Sequence, residues 1–344
     1  MPNSVTSHQS PAISNKEILV TGYAGFIGSH LIEKLLSDGC FVIGLDDFND
    51  YYDPKIKEAN IKRFKENKNF CSYKIDIRNK KEIDEIFVKH KPEIVVHLAA
   101  RAGVRPSLKQ PILYEEVNVL GTLNLLEASR QNECKKFIFG SSSSVYGECK
   151  NIPFKETELD LKPISPYGVT KLAGERHCYT FHHLYKLPII CLRFFTVYGP
   201  RQRPDLAIHK FTKLIDEGKK IPVFGDGKFK RDFTYITEII DGIMASIKYD
   251  KSGFEIFNLG ESHTTSVLDL VKLIENALGK KAVIDWQEAQ PGDVPITYAD
   301  VSKAQKLLEY KPKTTPEEGI KKFVEWYRAE QALSQSSVYS IPKS

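Results

Sequence analysis

The chain has 344 residues, 41% of them hydrophobic and 27% charged, with a formal net charge of +5. Such a length suggests about two domains, or one α/β domain with a second part, and buries enough surface to need neither disulfides nor metal. Composition excludes disordered, collagen-like and membrane-spanning classes, and the small basic surplus falls well short of a dedicated nucleic-acid binder.

Segments 1–16 and 332–344 are polar and read as tails. The N-terminus lacks the apolar core of a secretory signal, and no apolar run reaches the roughly 18 residues that span a bilayer. The six cysteines (Cys40, Cys71, Cys134, Cys149, Cys178, Cys191) are scattered without a C-x-x-C pair, which suggests reduced thiols in a cytoplasmic protein. His177, His182 and His183 sit in an aromatic-rich helical stretch without partner carboxylates, so no metal site is expected.

In chain order, strand 17–21 precedes a glycine-rich turn and helix 27–36, strand 41–45 follows, and segment 70–77 holds a third strand. The lysine-rich stretch 62–81 reads as a solvated face. Helix 81–90 leads to strand 94–99, helix 112–133, strand 136–140, helix 166–185 and strand 188–195. Beyond lie helix 208–217, strand 223–224, helix 236–249, strand 255–259 and helices 266–278, 302–308 and 316–333. Near-continuous apolar strands alternating with helices predict an α/β fold with a parallel sheet covered on both faces.

Gly22, Gly25 and Gly28 fall between the first strand and the first helix. Three glycines at that spacing make a tight turn, admit a pyrophosphate to the backbone, and open a helix whose N-terminal amides face the anion. The next strand ends at Asp46-Asp47, where a carboxylate accepts from ribose hydroxyls and repels a 2′-phosphate. NAD is therefore expected rather than NADP, on a Rossmann-type doubly wound sheet.

Tyr167 and Lys171 lie four residues apart on a predicted helix, and the serine run Ser141-Ser142-Ser143-Ser144 precedes them. With the glycine motif, this set resembles the extended short-chain dehydrogenase/reductase family over about residues 17–330. His97-Leu98-Ala99-Ala100, Asn118 and the segment 224–235 resemble its nucleotide-sugar members, as does Gly292-Asp293 ahead of Thr297. Segments 47–53, 102–105 and 193–204 resemble the 4-epimerases acting on UDP-glucuronate. Many UDP-glucose epimerases carry asparagine where this chain has Thr196.

The resemblance implies a NAD-binding domain (17–195 plus 233–262) and a smaller interleaved C-terminal α/β domain for the UDP-sugar (196–232 plus 263–331). It implies C4 epimerisation through a 4-keto sugar, with NAD regenerated in each cycle. Tyr167 would take the hydroxyl proton, Lys171 would stabilise the phenolate, and Ser142 would bind the reacting oxygen. Cofactor contacts would come from Gly22, Gly25, Phe26, Ile27, Gly28, Asp46, Asp47, Asn49, Asp76, Ile77, Leu98, Ala99, Ala100 and Asn118, with Tyr167 and Lys171. Substrate contacts would come from Arg105, Ser142, Ser143, Ser144, Thr196, Arg203, Val223, Arg231 and Asp293, with Arg231 on the diphosphate and Asp293 on the uridine ribose.

Related dehydratases place an Asp-Glu pair at Ser143-Ser144, and related decarboxylases place Glu at Ser144. Serine does little acid/base work near neutral pH, so both reactions rank below epimerisation of UDP-glucuronate and of neutral UDP-hexoses. A homodimer through helices 112–133 and 166–185 is also implied.

Overall fold

The computed structural model describes residues 13–288 and 294–338, the side chains of 333–338 excepted. Its centre is a seven-stranded parallel sheet. Six strands are β1 (Glu17–Thr21), β2 (Phe41–Asp46), β3 (Phe70–Lys74), β4 (Ile94–His97), β5 (Lys136–Ser142) and β6 (Ile189–Phe194). Strand Phe254–Leu259 closes one edge, giving the order Phe254–Leu259, β6, β5, β4, β1, β2, β3.

Alternate residues of each strand point to opposite faces. Ile18, Val20, Val42 and Val96 therefore join one apolar cluster, while Leu19, Ile43, Leu45 and Val95 join the other. Both faces are covered, as the unbroken apolar strands require. The sheet runs outward in both directions from β1 and β4, and that reversal opens a crevice beyond their carboxyl ends.

The predicted helix 112–133 is in fact three pieces: helix Pro111–Glu115, a π-helical turn Glu116–Leu120, and helix Gly121–Gln131. Apolar periodicity persists through such a turn, so the sequence conceals it. Helix Pro54–Ile61 also escapes that periodicity. Its start is marked instead by Asp53, which accepts from the Lys55 amide, and by Pro54 at the first helical position. Helix Pro166–Tyr185 has the predicted bounds, with the Ser165 hydroxyl capping the Gly168 amide at 3.1 Å.

Three small strand pairs stand beside the main sheet. Thr196–Tyr198 pairs with Phe233–Tyr235, Lys230–Arg231 with Thr265–Ser266, and Lys220–Phe224 with Val283–Gln287. Some residues expected to lie in tails are ordered parts of the fold. Ile13 is buried in the core, and the last helix runs from Pro316 to Val338 through Ala, Glu and Gln residues that favour helix.

Candidate active site

Strand β1 delivers the glycine motif to the crevice, a cleft of about 460 Å³. Helix α1 (Phe26–Ser37) begins at Gly25 with no side-chain cap and no acidic residue in its first turn, leaving its N-terminal amides to an anion. Gly22 has φ +72°, and a Cβ there would lie 2.9 Å from the Ala99 nitrogen. A Cβ on Gly28 would lie 2.1 Å from the Gly22 carbonyl oxygen. The cradle thus requires glycine for close backbone approach, which is the fit a pyrophosphate needs. Gly28→Ala forces the turn and α1 apart at a cost of about 1–3 kcal/mol. The expected result is roughly tenfold or greater loss of bound dinucleotide after gel filtration, and full retention would contradict this reading.

Asp46 ends β2 and is almost enclosed. Its carboxylate accepts from the Phe48 amide at 2.9 Å and the Ala24 amide at 3.3 Å, and pairs with Lys57 at 2.9 Å. Lys57 is equally buried, beneath the rings of Phe48 and Tyr52. Asp47 is more open and accepts from the Asn49 backbone and side-chain amides at 3.0 and 2.6 Å. Ile75, Asp76 and Ile77 line the same end, where Arg78 holds the Asp76 carboxyl below its usual range against the opposing effect of burial. Leu98, Ala99 and Ala100 form the floor, and the Thr21 hydroxyl accepts from the Leu98 and Ala99 amides, both at 3.1 Å.

Ser142, Tyr167 and Lys171 meet in the same cleft. Burial raises the Tyr167 phenol above its ordinary value, and a hydrogen bond with Ser142 and the Arg203 charge oppose that rise. The Lys171 ammonium donates to the Gly140 carbonyl at 2.6 Å, and burial pushes it down to about 8. Ser143, Ser144, Thr196 and Arg203 also line the cleft. Among the described residues, its only lining carboxylates are Asp46, Asp47 and Asp76, at the ends of β2 and β3.

Other expected residues lie elsewhere. Asn118 is buried, and its amide is committed to the Arg101 backbone (2.8 and 3.0 Å) and the Thr170 hydroxyl (3.0 Å). It braces the cleft wall instead of lining it. Val223 is fully enclosed, so its side chain is out of a ligand's reach. The Arg105 guanidinium packs 4.3 Å from the Phe224 ring, and Arg231 donates to the Lys230 carbonyl, both away from the cleft lining. Asp293 lies outside the described residues.

Sequence reasoning missed Tyr51, whose hydroxyl donates to the Ala102 carbonyl at 2.7 Å and whose ring takes the guanidiniums of Arg101 and Arg203 at 5.4 and 4.9 Å. It also missed Lys57 and the buried pair Glu175–Arg193. The spacing Tyr167, Lys171, Glu175 was the available signal for Glu175, since residues four apart share a helix face.

A glycine-lined dinucleotide cradle opposite a Ser-Tyr-Lys set defines an extended short-chain dehydrogenase/reductase. Residues 19–323 match the family described as GDP-mannose 4,6 dehydratase, and the chain belongs to that family. A UDP-glucuronate 4-epimerase of Thermodesulfobacterium geofontis is 45% identical over 322 residues, covering 92% of this chain and 98% of its own. UDP-glucuronate 4-epimerase 4 of Arabidopsis thaliana is 41% identical, over 90% of this chain and 75% of its own. The crystal structure of UDP-glucuronic acid 4-epimerase from Bacillus cereus, with UDP-glucuronic acid and NAD, superposes with a TM-score of 0.87 at 40% identity, covering 91% of this chain and 99% of that one.

Proposed function

We propose that the chain is a NAD-dependent UDP-sugar 4-epimerase interconverting UDP-glucuronate and UDP-galacturonate. One observation carries the reading: Ser142, Tyr167 and Lys171 face a dinucleotide cleft whose sugar end holds hydroxyls and no lining carboxylate among the described residues. NAD bound in the glycine cradle supplies a reversible hydride acceptor, and the relatives with UDP-glucuronate in their names support the substrate.

Tyr167, as phenolate, accepts the proton of the sugar's 4-hydroxyl, and the Ser142 hydroxyl donates to that oxygen. The nearby Lys171 cation favours the phenolate. The 4-keto sugar then turns in the cleft, and Tyr167 returns the proton after the opposite face is reduced. A 4-keto uronate is a β-keto acid prone to lose carbon dioxide. Ser143, Ser144 and Thr196 hold its carboxylate out of alignment with the ketone, which suppresses that loss. Dehydration and decarboxylation lack the carboxylate that related enzymes place at Ser143 or Ser144.

Arg231 and Asp293 remain our choices for the diphosphate and the uridine ribose, with the NAD and UDP-sugar domains divided as the resemblance implies. We also infer a homodimer. Helices Pro111–Glu115 and Pro166–Tyr185, with the turn between Glu116 and Leu120, carry outward apolar side chains, of which Ile112 is 74% exposed. Six unpaired thiols suit a reducing cytoplasm.

Incubation with UDP-glucuronate, UDP-glucose and UDP-N-acetylglucosamine, with products resolved by NMR, tests the substrate. Turnover of the neutral sugars without the uronate would overturn it. A pH profile adds a second check. Lys171 is cationic below its depressed value of about 8, so turnover should fall as pH rises through that value. A rate still climbing past pH 9 (roughly one unit beyond, a tenfold change in protonation) would contradict the role of its charge.

A further inference from the structure

We propose that Glu175 and Arg193 form a positioning pair that fixes the placement and charge of Lys171, and through it Tyr167. The inference rests on the catalytic reading above. Both side chains are 2% exposed. The Glu175 carboxylate accepts from Arg193 Nε at 2.9 Å, Arg193 Nη2 at 2.8 Å and the Ser141 hydroxyl at 2.6 Å. The guanidinium lies 4.7 Å from the Tyr146 ring, whose hydroxyl donates to Asn258 at 2.8 Å.

Tyr167, Lys171 and Glu175 succeed one another at single-turn spacing on helix Pro166–Tyr185, and Gly140, Ser141 and Ser142 are consecutive on β5. The helix grips that strand at two neighbouring points, Lys171 to the Gly140 carbonyl and Ser141 to Glu175. Ser142 is the next residue along. Buried ion pairs contribute little net stability, because desolvation offsets their attraction. Placement beside the catalytic lysine gives this one a different use.

The groups around Lys171 can be named element by element. Its own helix contributes Glu175 and Cys178, with Tyr167 one turn away, and β6 contributes Cys191, with Arg193 reaching it through Glu175. On β4, burial pushes His97 down to about 3, so it is neutral, and on β5 the Phe139 ring lies 5.0 Å from the ammonium. Tyr167 further meets Tyr51 and Arg203. Glu175 is the carboxylate that favours the Lys171 cation, and Arg193 neutralises that carboxylate by pairing with it.

The two partners therefore act on Lys171 with opposite signs. Glu175→Gln leaves Arg193 uncompensated and should move the alkaline limb of the kcat profile to lower pH by on the order of one unit. Arg193→Met leaves Glu175 uncompensated and should move it higher. The double variant removes both charges and should return the limb toward wild type. Either single variant, if folded, can be compared with the double, and retained NAD reports the fold independently of turnover. Limbs that stay in place or shift in the same direction would overturn the proposal. Tyr167→Phe separates the two failures. Turnover in that variant would refute the catalytic reading itself, whereas its loss there, together with unmoved limbs in the Glu175 and Arg193 variants, refutes only the positioning pair.

Discussion

Tyr167→Phe is expected to lower kcat for C4 epimerisation by about a thousandfold, while KM and bound NAD change little. Positioned proton transfer contributes about 10²–10⁴-fold, and here the donor and acceptor is a single phenol. The substitution keeps the ring, which packs edge-on against Tyr114 with centroids 6.3 Å apart, so the cleft wall survives. Only the hydroxyl that bonds Ser142 within the cleft is lost. Stopped-flow or coupled assays on purified protein of known NAD content give the number. A decrease of less than about threefold, too small for lost proton transfer, would mean that another group moves the proton.

Asp46→Ala should have the largest effect on folding and on the cofactor together. The carboxylate is 4% exposed and Lys57 is 6% exposed. Removing one partner of a buried pair costs up to about 3–5 kcal/mol, and here Lys57 stays buried with only the longer 3.7 Å contact to Asp47 left to it. The Ala24 and Phe48 amides lose their acceptor as well, so the glycine turn is released from the end of β2. For a chain this size the melting temperature should fall by roughly 10 °C, with NAD lost during purification. Lys57→Met in the same background should recover much of the stability but not the NAD. A single variant with unchanged melting temperature and full NAD would contradict the described environment of Asp46.

Much of the fold was legible because its signals are local. Unbroken apolar strands, the glycine turn after β1 and the helix bearing Tyr167 and Lys171 all follow from short-range pattern, and the seven-stranded parallel sheet is their sum. The π-helical turn at Glu116–Leu120 was not legible, since one extra residue in a turn leaves apolar spacing almost intact. Its consequence is at the site, where Asn118 turns inward to clamp Arg101 and Thr170.

Burial decided most of the remaining differences. Lys57 carries no local sign of burial, and only the fold brings it onto Asp46, 11 positions away. Arg193 lay within a recognised motif, yet its partner was visible only as a helical spacing from Lys171. Tyr51 likewise depends on loops distant in sequence, since it meets Ala102, Arg101 and Arg203 only after the chain has folded.

The most direct test of the central claim uses UDP-glucuronate carrying deuterium at C4, incubated with the purified protein and followed by NMR and mass spectrometry. The account predicts UDP-galacturonate with the deuterium still on C4 and no UDP-xylose, because the hydrogen leaves and returns to the same carbon while the carboxylate is held. Loss of deuterium to solvent, or a decarboxylated pentose as the main product, would contradict it.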